Sequence, residues 1–142
     1  MIFIDTQLWV FAQKSPNKEH SKTFITQKIE TEEIAMTHHQ LGEIFHSLAY
    51  RGEKSSLKFS QKYCFQLLDS QFIHWYPITL EDLKKCINLS AESGIHIWDY
   101  LCVTPLIKEI FEIYTCDTHF QHDSFRLFGK PIKNPLNQWM VF

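Results

Sequence analysis

The sequence predicts an α/β domain built on a mainly parallel sheet. Short apolar runs without polar alternation, such as Met1 to Ile4, read as strands covered on both faces, the habit of parallel sheets. Segments with helical spacing and capping residues separate these runs, so strands and helices alternate along the chain. The size agrees: 142 residues, 44% hydrophobic and 21% charged, suit one globular domain over 1–142 with a real core. Four glycines and five prolines leave little to disorder, and neither a repeat nor an internal linker stands out.

Each element has its own warrant. The first strand, Ile2 to Ile4, runs straight into Asp5, and QLWVFA follows as a short turn of helix. QKSPNKEH makes a loop with Pro16 and Asn17 as breakers, before a helix from about Lys18 to Ile29 with Phe24, Ile25 and Ile29 on one side. EIAMT is a second strand, and its Thr37 suits the N-cap of the next helix. That helix, HHQLGEIFHSLAYRG, carries Leu41, Ile44, Phe45, Leu48 and Ala49 at helical spacing and stops at Gly52. A helix from about Ser56 to Leu68 leads to the strand FIHWYPI. Thr79, followed three residues later by Asp82, opens the next helix as a capping box. After Gly94, IHIWDYLCVTPLIKEI reads as a helix apolar nearly all round and therefore buried, with Pro105 kinking it. FEIYTC is the last strong inner strand, and RLFGKPIKNP ends the fold on a short strand stopped by Pro135.

Bulk properties narrow the function. The formal charge of -2 lacks the basic excess that usually marks nucleic-acid binding, although a local patch can hide in a neutral total. Cys64, Cys86, Cys102 and Cys116 form no CxxC pair and read as buried thiols of a reducing compartment. Asp5 interrupts an N-terminal apolar stretch that lacks a basic leader, so no signal peptide is expected. No apolar run approaches a membrane span, which makes the cytoplasm the expected location.

Acidic residues in apolar settings carry the chemistry. Asp99 is the only formal charge between Gly94 and Leu106, and its helical neighbours Ile95, Cys102 and Val103 are apolar. An unpaired carboxylate there costs several kcal/mol or must be protonated. It needs a cationic side chain, a set of donors or a metal ion, unless the helix turns it to solvent. Asp117 ends FEIYTC just as Asp5 ends MIFI, although Asp also commonly caps the element after a strand. In open α/β sheets, that edge is where ligands bind. Glu43 lies nearly opposite the apolar stripe Leu41, Phe45, Leu48, a position no different by periodicity from any solvated one. Were four carboxylates to converge, each pair about 5 Å apart would repel by roughly 3 kcal/mol at an effective dielectric near 20. Such a set makes sense around a cation, and oxygen donors without cysteine select Mg2+ or Mn2+. Those ions serve phosphoryl transfer.

Four stretches, MIFIDTQLWVFA, THHQLGEIFHSL with Glu43, SGIHIWDYLCV and IYTCDTHF, resemble in order and spacing the PIN-domain ribonucleases, and most nearly the VapC-type toxins of toxin–antitoxin pairs. The resemblance covers nearly the whole chain, including the ending GKPIKNP. It implies a three-layer α/β/α fold with a mainly parallel central sheet and an acidic pocket at its edge. It also implies metal-dependent endonucleolytic cleavage of single-stranded RNA, homodimerisation and inhibition by a cognate antitoxin. By motif match Asp5, Glu43, Asp99 and Asp117 take the acidic positions as catalytic and metal-holding residues, with Mg2+ or Mn2+ as cofactor. Thr6 and Thr115 are expected as supporting hydroxyls beside the acids, with ordinary strand-end residues as the alternative. Gln7 stands where the family usually has Asn, and Tyr100, Cys102 and Pro105 replace the small residues that usually follow the third acid.

Other readings compete. In DTHFQHD, His119, His122 and Asp123 are expected as solvated loop residues, with zinc recruitment or general-acid work as the alternatives. A haloacid-dehalogenase phosphatase needs a second Asp where Gln7 stands, and a response-regulator receiver needs an acid pair that is absent. A PIN-like scaffold that binds RNA or protein without cutting is the rival from another class. Arg51, Lys54, Lys58 and Lys62 read as a charged solvated surface rather than an RNA track. Trp9, Trp75, Trp98 and Trp139 read as core or dimer contacts rather than base-stacking platforms.

Overall fold

The structure, a computed structural model, describes residues 1–14 and 17–142. Pro16, expected as a loop breaker, lies outside the described residues. The chain order is β1 (Ile2–Ile4), α1 (Thr6–Phe11), α2 (Lys18–Thr31), β2 (Ile34–Thr37), α3 (His38–Tyr50), α4 (Leu57–Leu68), β3 (Ile73–Tyr76) and α5 (Leu80–Ser93). Then follow α6 (Ile97–Val103), β4 (Glu112–Tyr114), α7 (Asp123–Arg126) and β5 (Ile132–Lys133). Among the described residues all four strand pairings are parallel, in the order β3-β2-β1-β4-β5.

The three layers follow from side-chain alternation along the inner strands. Ile2 and Ile4 of β1, with Ile34 and Met36 of β2, pack under Leu8, Trp9, Ile25, Ile44, Leu48 and Leu67 of α1–α4. Phe3, Ala35 and Ile113 point the other way, into Cys86, Tyr100, Leu101, Val103 and Phe125 of α5–α7. A strand covered on both faces has no reason to alternate polar and apolar residues, which is why Met1 to Ile4 reads as it does. All four cysteines are buried and free.

The helix boundaries follow their expected caps. The hydroxyl of Thr37 accepts from Gln40 N, and Ser56 from Phe59 N. Thr79 and Asp82 close a reciprocal capping box on α5. Gly94 ends α5 at φ 77°, a left-handed position that a side chain strains to adopt.

Two expectations need correction. The long buried helix after Gly94 is in fact α6 followed by a 3-10 turn, Thr104–Leu106. Pro105 has no N–H and its ring crowds the preceding turn, so it ends α6 instead of kinking a longer helix. Nor is α6 buried all round, since Trp98 is 54% exposed. Secondly, the fold does not end at Pro135. The tail returns to the sheet edge through a parallel bridge between Met140 and Asp117, with Thr118 N donating to Met140 O (2.9 Å) and Met140 N to Cys116 O (2.8 Å).

Candidate metal centre

The sheet's order reverses at β1: β2 and β3 lie to one side, β4 and β5 to the other. The crevice outside the carboxyl ends of β1 and β4 is therefore the place where an open α/β sheet binds ligands. Asp5 leaves the end of β1 and Asp117 follows β4, so this crevice receives both. Glu43 reaches it from α3 and Asp99 from α6, and all four line one cleft of about 720 Å³.

Local contacts fix each acid. Asp5 caps α1 by accepting from Thr6 N (2.8 Å), and its other oxygen accepts from the Thr115 hydroxyl (2.7 Å). Thr115 Oγ1 in turn accepts from Asp117 N (3.0 Å), so one buried hydroxyl ties the ends of β1 and β4 together. Asp117 caps the turn after it by accepting from His119 N (2.9 Å). The capping role expected of such aspartates is thus real, and it coexists with their place in the cleft. Behind Asp5, Gln40 Nε2 and Trp9 Nε1 both donate to Ile4 O (2.7 and 3.0 Å), anchoring the strand end. Glu43 stands 3.5 Å from His39 Nε2 and accepts weakly from the Cys102 thiol at 3.8 Å. Asp99, 7% exposed, faces His119 Nδ1 at 2.9 Å and His96 Nδ1 at 3.7 Å.

The electrostatics are those of acids forced together. Burial first, then the charge of Asp99, push Asp5 well above the ordinary carboxylate range. Burial, then the charges of Asp117 and Glu43, push Asp99 up to about 8. Asp117 is raised too, mainly by burial, with its hydrogen bond from His119 N opposing. Without a cation the cleft keeps protons it would otherwise release.

Of the supporting residues expected from the sequence, Thr115 touches two acids, while Gln7 and Thr6 line the cleft. His119 is not a solvated loop histidine: it is held between Asp99 and Asp117. His122 instead accepts from Ser124 N, and Asp123 is exposed. Sequence reasoning missed His96, His39, Trp98 and Phe142, which also border the cleft. His96 precedes Asp99 by three residues, a helical-face spacing that could have marked it. Trp98 stacks on His39 at the cleft rim, with centroids 5.5 Å apart.

A parallel sheet between two helical layers, with an acidic cleft at its switch point, defines a PIN-like α/β/α domain. Solved structures carry the same fold. The complex of VapBC2 from Rickettsia felis with a promoter DNA fragment aligns with a TM-score of 0.65 at 17% identity, covering 94% of this chain and 98% of that one. Mycobacterium tuberculosis VapC20, a sarcin–ricin loop cleaving toxin, aligns at 0.65 and 15% identity over 80% of this chain and 87% of its own. FitAcB from Neisseria gonorrhoeae aligns at 0.62 and 15% identity over 96% and 99%. The fold of this protein is that of the VapC-type PIN domain. No protein-family model and no curated protein sequence matches the chain.

Proposed function

We propose that the protein is a divalent-metal-dependent endoribonuclease acting on single-stranded RNA, the toxin of a toxin–antitoxin pair. The observation that carries this reading is the convergence of Asp5, Glu43, Asp99 and Asp117 on one cleft at the switch point of the sheet. The donor set fits a hard cation, since carboxylates this crowded retain protons that a divalent ion replaces. Asp5, Asp99, Asp117 and Glu43 would hold Mg2+ or Mn2+. Such an ion supplies charge neutralisation at a phosphate and an acidified water for attack on it.

The chain's own groups do the remaining work. Thr115 sets the spacing of Asp5 and Asp117 and leaves each a free face towards the cleft. Gln7, an amide at the cleft wall, offers a hydrogen bond to a carboxylate or a water. Arg51, His38 and His46 line the same cleft and give an RNA backbone cationic or donor contacts beside the acids. Trp98, more than half exposed on the rim and therefore not a core contact, offers a face on which an unpaired base stacks. A cytoplasmic location, inhibition by a small antitoxin protein and a homodimeric state belong to the same reading. Among the described residues, no helix is long and apolar enough to cross a membrane.

The deciding assay incubates purified protein with a pool of single-stranded RNAs in Mn2+, with and without EDTA, and sizes the same sample by light scattering. The expected outcome is internal cleavage that EDTA silences, from a particle of twice the chain mass. RNA bound but left intact in Mn2+ transfers the protein to the binding-module class. A strict monomer at micromolar concentration removes the homodimer.

A further inference from the structure

The cleft's donors are not all oxygen. His96, Asp99 and His119 each bring a ligand atom within 4.8 Å of the other two, from the N-cap and first turn of α6 and from the turn after Asp117. Ligand atoms about 2.0–2.1 Å from a tetrahedral zinc ion stand roughly 3.4 Å from each other. The separations of 2.9 Å from Asp99 to His119 and 3.7 Å from Asp99 to His96 bracket that edge length. The two rings meet edge to face, 82° apart with centroids at 4.9 Å, so both turn Nδ1 to the same carboxylate without stacking on each other. His96 is half exposed and His119 a quarter exposed, which leaves an entry path and room for a water as a fourth ligand.

We propose that His96, Asp99 and His119 form a nitrogen-bearing cation position that takes a first-row transition ion, Zn2+ or Co2+, in preference to Mg2+. Imidazole suits these ions, whereas Mg2+ prefers oxygen and water, and affinity rises along the series towards zinc and copper. The inference rests on the cation-site reading of the cleft, because the position borrows Asp99 from the carboxylate set. A transition ion seated here competes with Mg2+ for that oxygen and makes the centre sensitive to zinc.

The test titrates CoCl2 into the metal-free chain and follows visible absorption, with isothermal calorimetry for ZnCl2 and MgCl2. The wild type is expected to bind one Co2+ per chain at this position with a visible ligand-field band. His96→Ala and His119→Ala should each weaken Co2+ and Zn2+ at least tenfold, while His96→Ala changes Mg2+ binding less than threefold. His96 is half exposed, so its loss does not threaten folding. In the unmutated protein, Zn2+ should move the imidazole nitrogen NMR signals of His96 and His119 before those of other histidines. Unchanged Co2+ affinity in both variants, or zinc binding that leaves these two rings unmoved, overturns the proposal. Absence of RNA cleavage with the cobalt band intact defeats the nuclease reading alone, and cleavage in Mn2+ without imidazole contact defeats only this one.

Discussion

Asp99 is a carboxylate that the fold disfavours as a lone anion. Burial and the charges of Asp117 and Glu43 raise it to about 8, and its Oδ2 lies 2.9 Å from His119 Nδ1. Because the folded value lies above the unfolded one, folding favours the protonated form. The stability this confers is fully present below about pH 4 and is lost as pH rises towards 8. In EDTA, Asp99→Asn removes that dependence at almost constant volume and lets His119 donate to a neutral amide. Thermal melts at pH 8 should show the variant at least as stable as wild type, with a shallower decline between pH 5 and pH 8 and the share due to Asp5 remaining. Divalent-ion affinity should fall tenfold or more. A marked loss of stability at pH 8 would instead identify a buried ion pair with His119, whose breakage costs about 3–5 kcal/mol. The anomaly of Asp99 was legible from its apolar neighbours, but its partner was not. His119 stands 20 residues away, and no local spacing joins the two.

At the scale of elements, strands and caps were legible because each is a local decision. The apolar run of β1, the cap of Thr37 and the Thr79–Asp82 box all depend on residues within a turn of one another. What escaped was tertiary. The early end of α6 follows from Pro105, yet whether a proline bends or stops a helix depends on what packs against the next turn. The return of the tail was invisible, since a one-residue bridge has neither length nor periodicity. Glu43 was legible only through family resemblance, because a face turned from the helix's own apolar stripe looks solvated until α6 packs beside it. The tail has a job at the site: Met140 brackets Asp117 through the two hydrogen bonds to Cys116 O and from Thr118 N. Deleting residues 139–142 removes both, each worth roughly 1 kcal/mol. Far-UV circular dichroism should retain the α/β signature while calorimetry shows Mn2+ affinity reduced several-fold. Unaltered affinity would mean that Thr115 and the turn at His119 hold Asp117 unaided.

Over the whole molecule, a formal charge of -2 conceals four acids gathered at one edge of the sheet. An ion that binds this arrangement has no counterpart in the unfolded chain, where the same carboxylates are far apart and solvated. By linkage, Mn2+ at 100 times its dissociation constant should stabilise the fold by about 2.7 kcal/mol. In a domain of this size that is a melting-temperature rise of roughly 6–10 °C. The increment must depend on pH, and its sign follows from the acids. At pH 6 Asp99 still carries a proton that the ion has to displace, so binding is coupled to proton release; at pH 8 little of that cost remains. Scanning calorimetry at one fixed Mn2+ concentration should therefore give a larger rise at pH 8 than at pH 6, and the difference should shrink in Asp99→Asn. Equal increments at the two pH values would mean that the ion binds without displacing a proton, and hence away from Asp99.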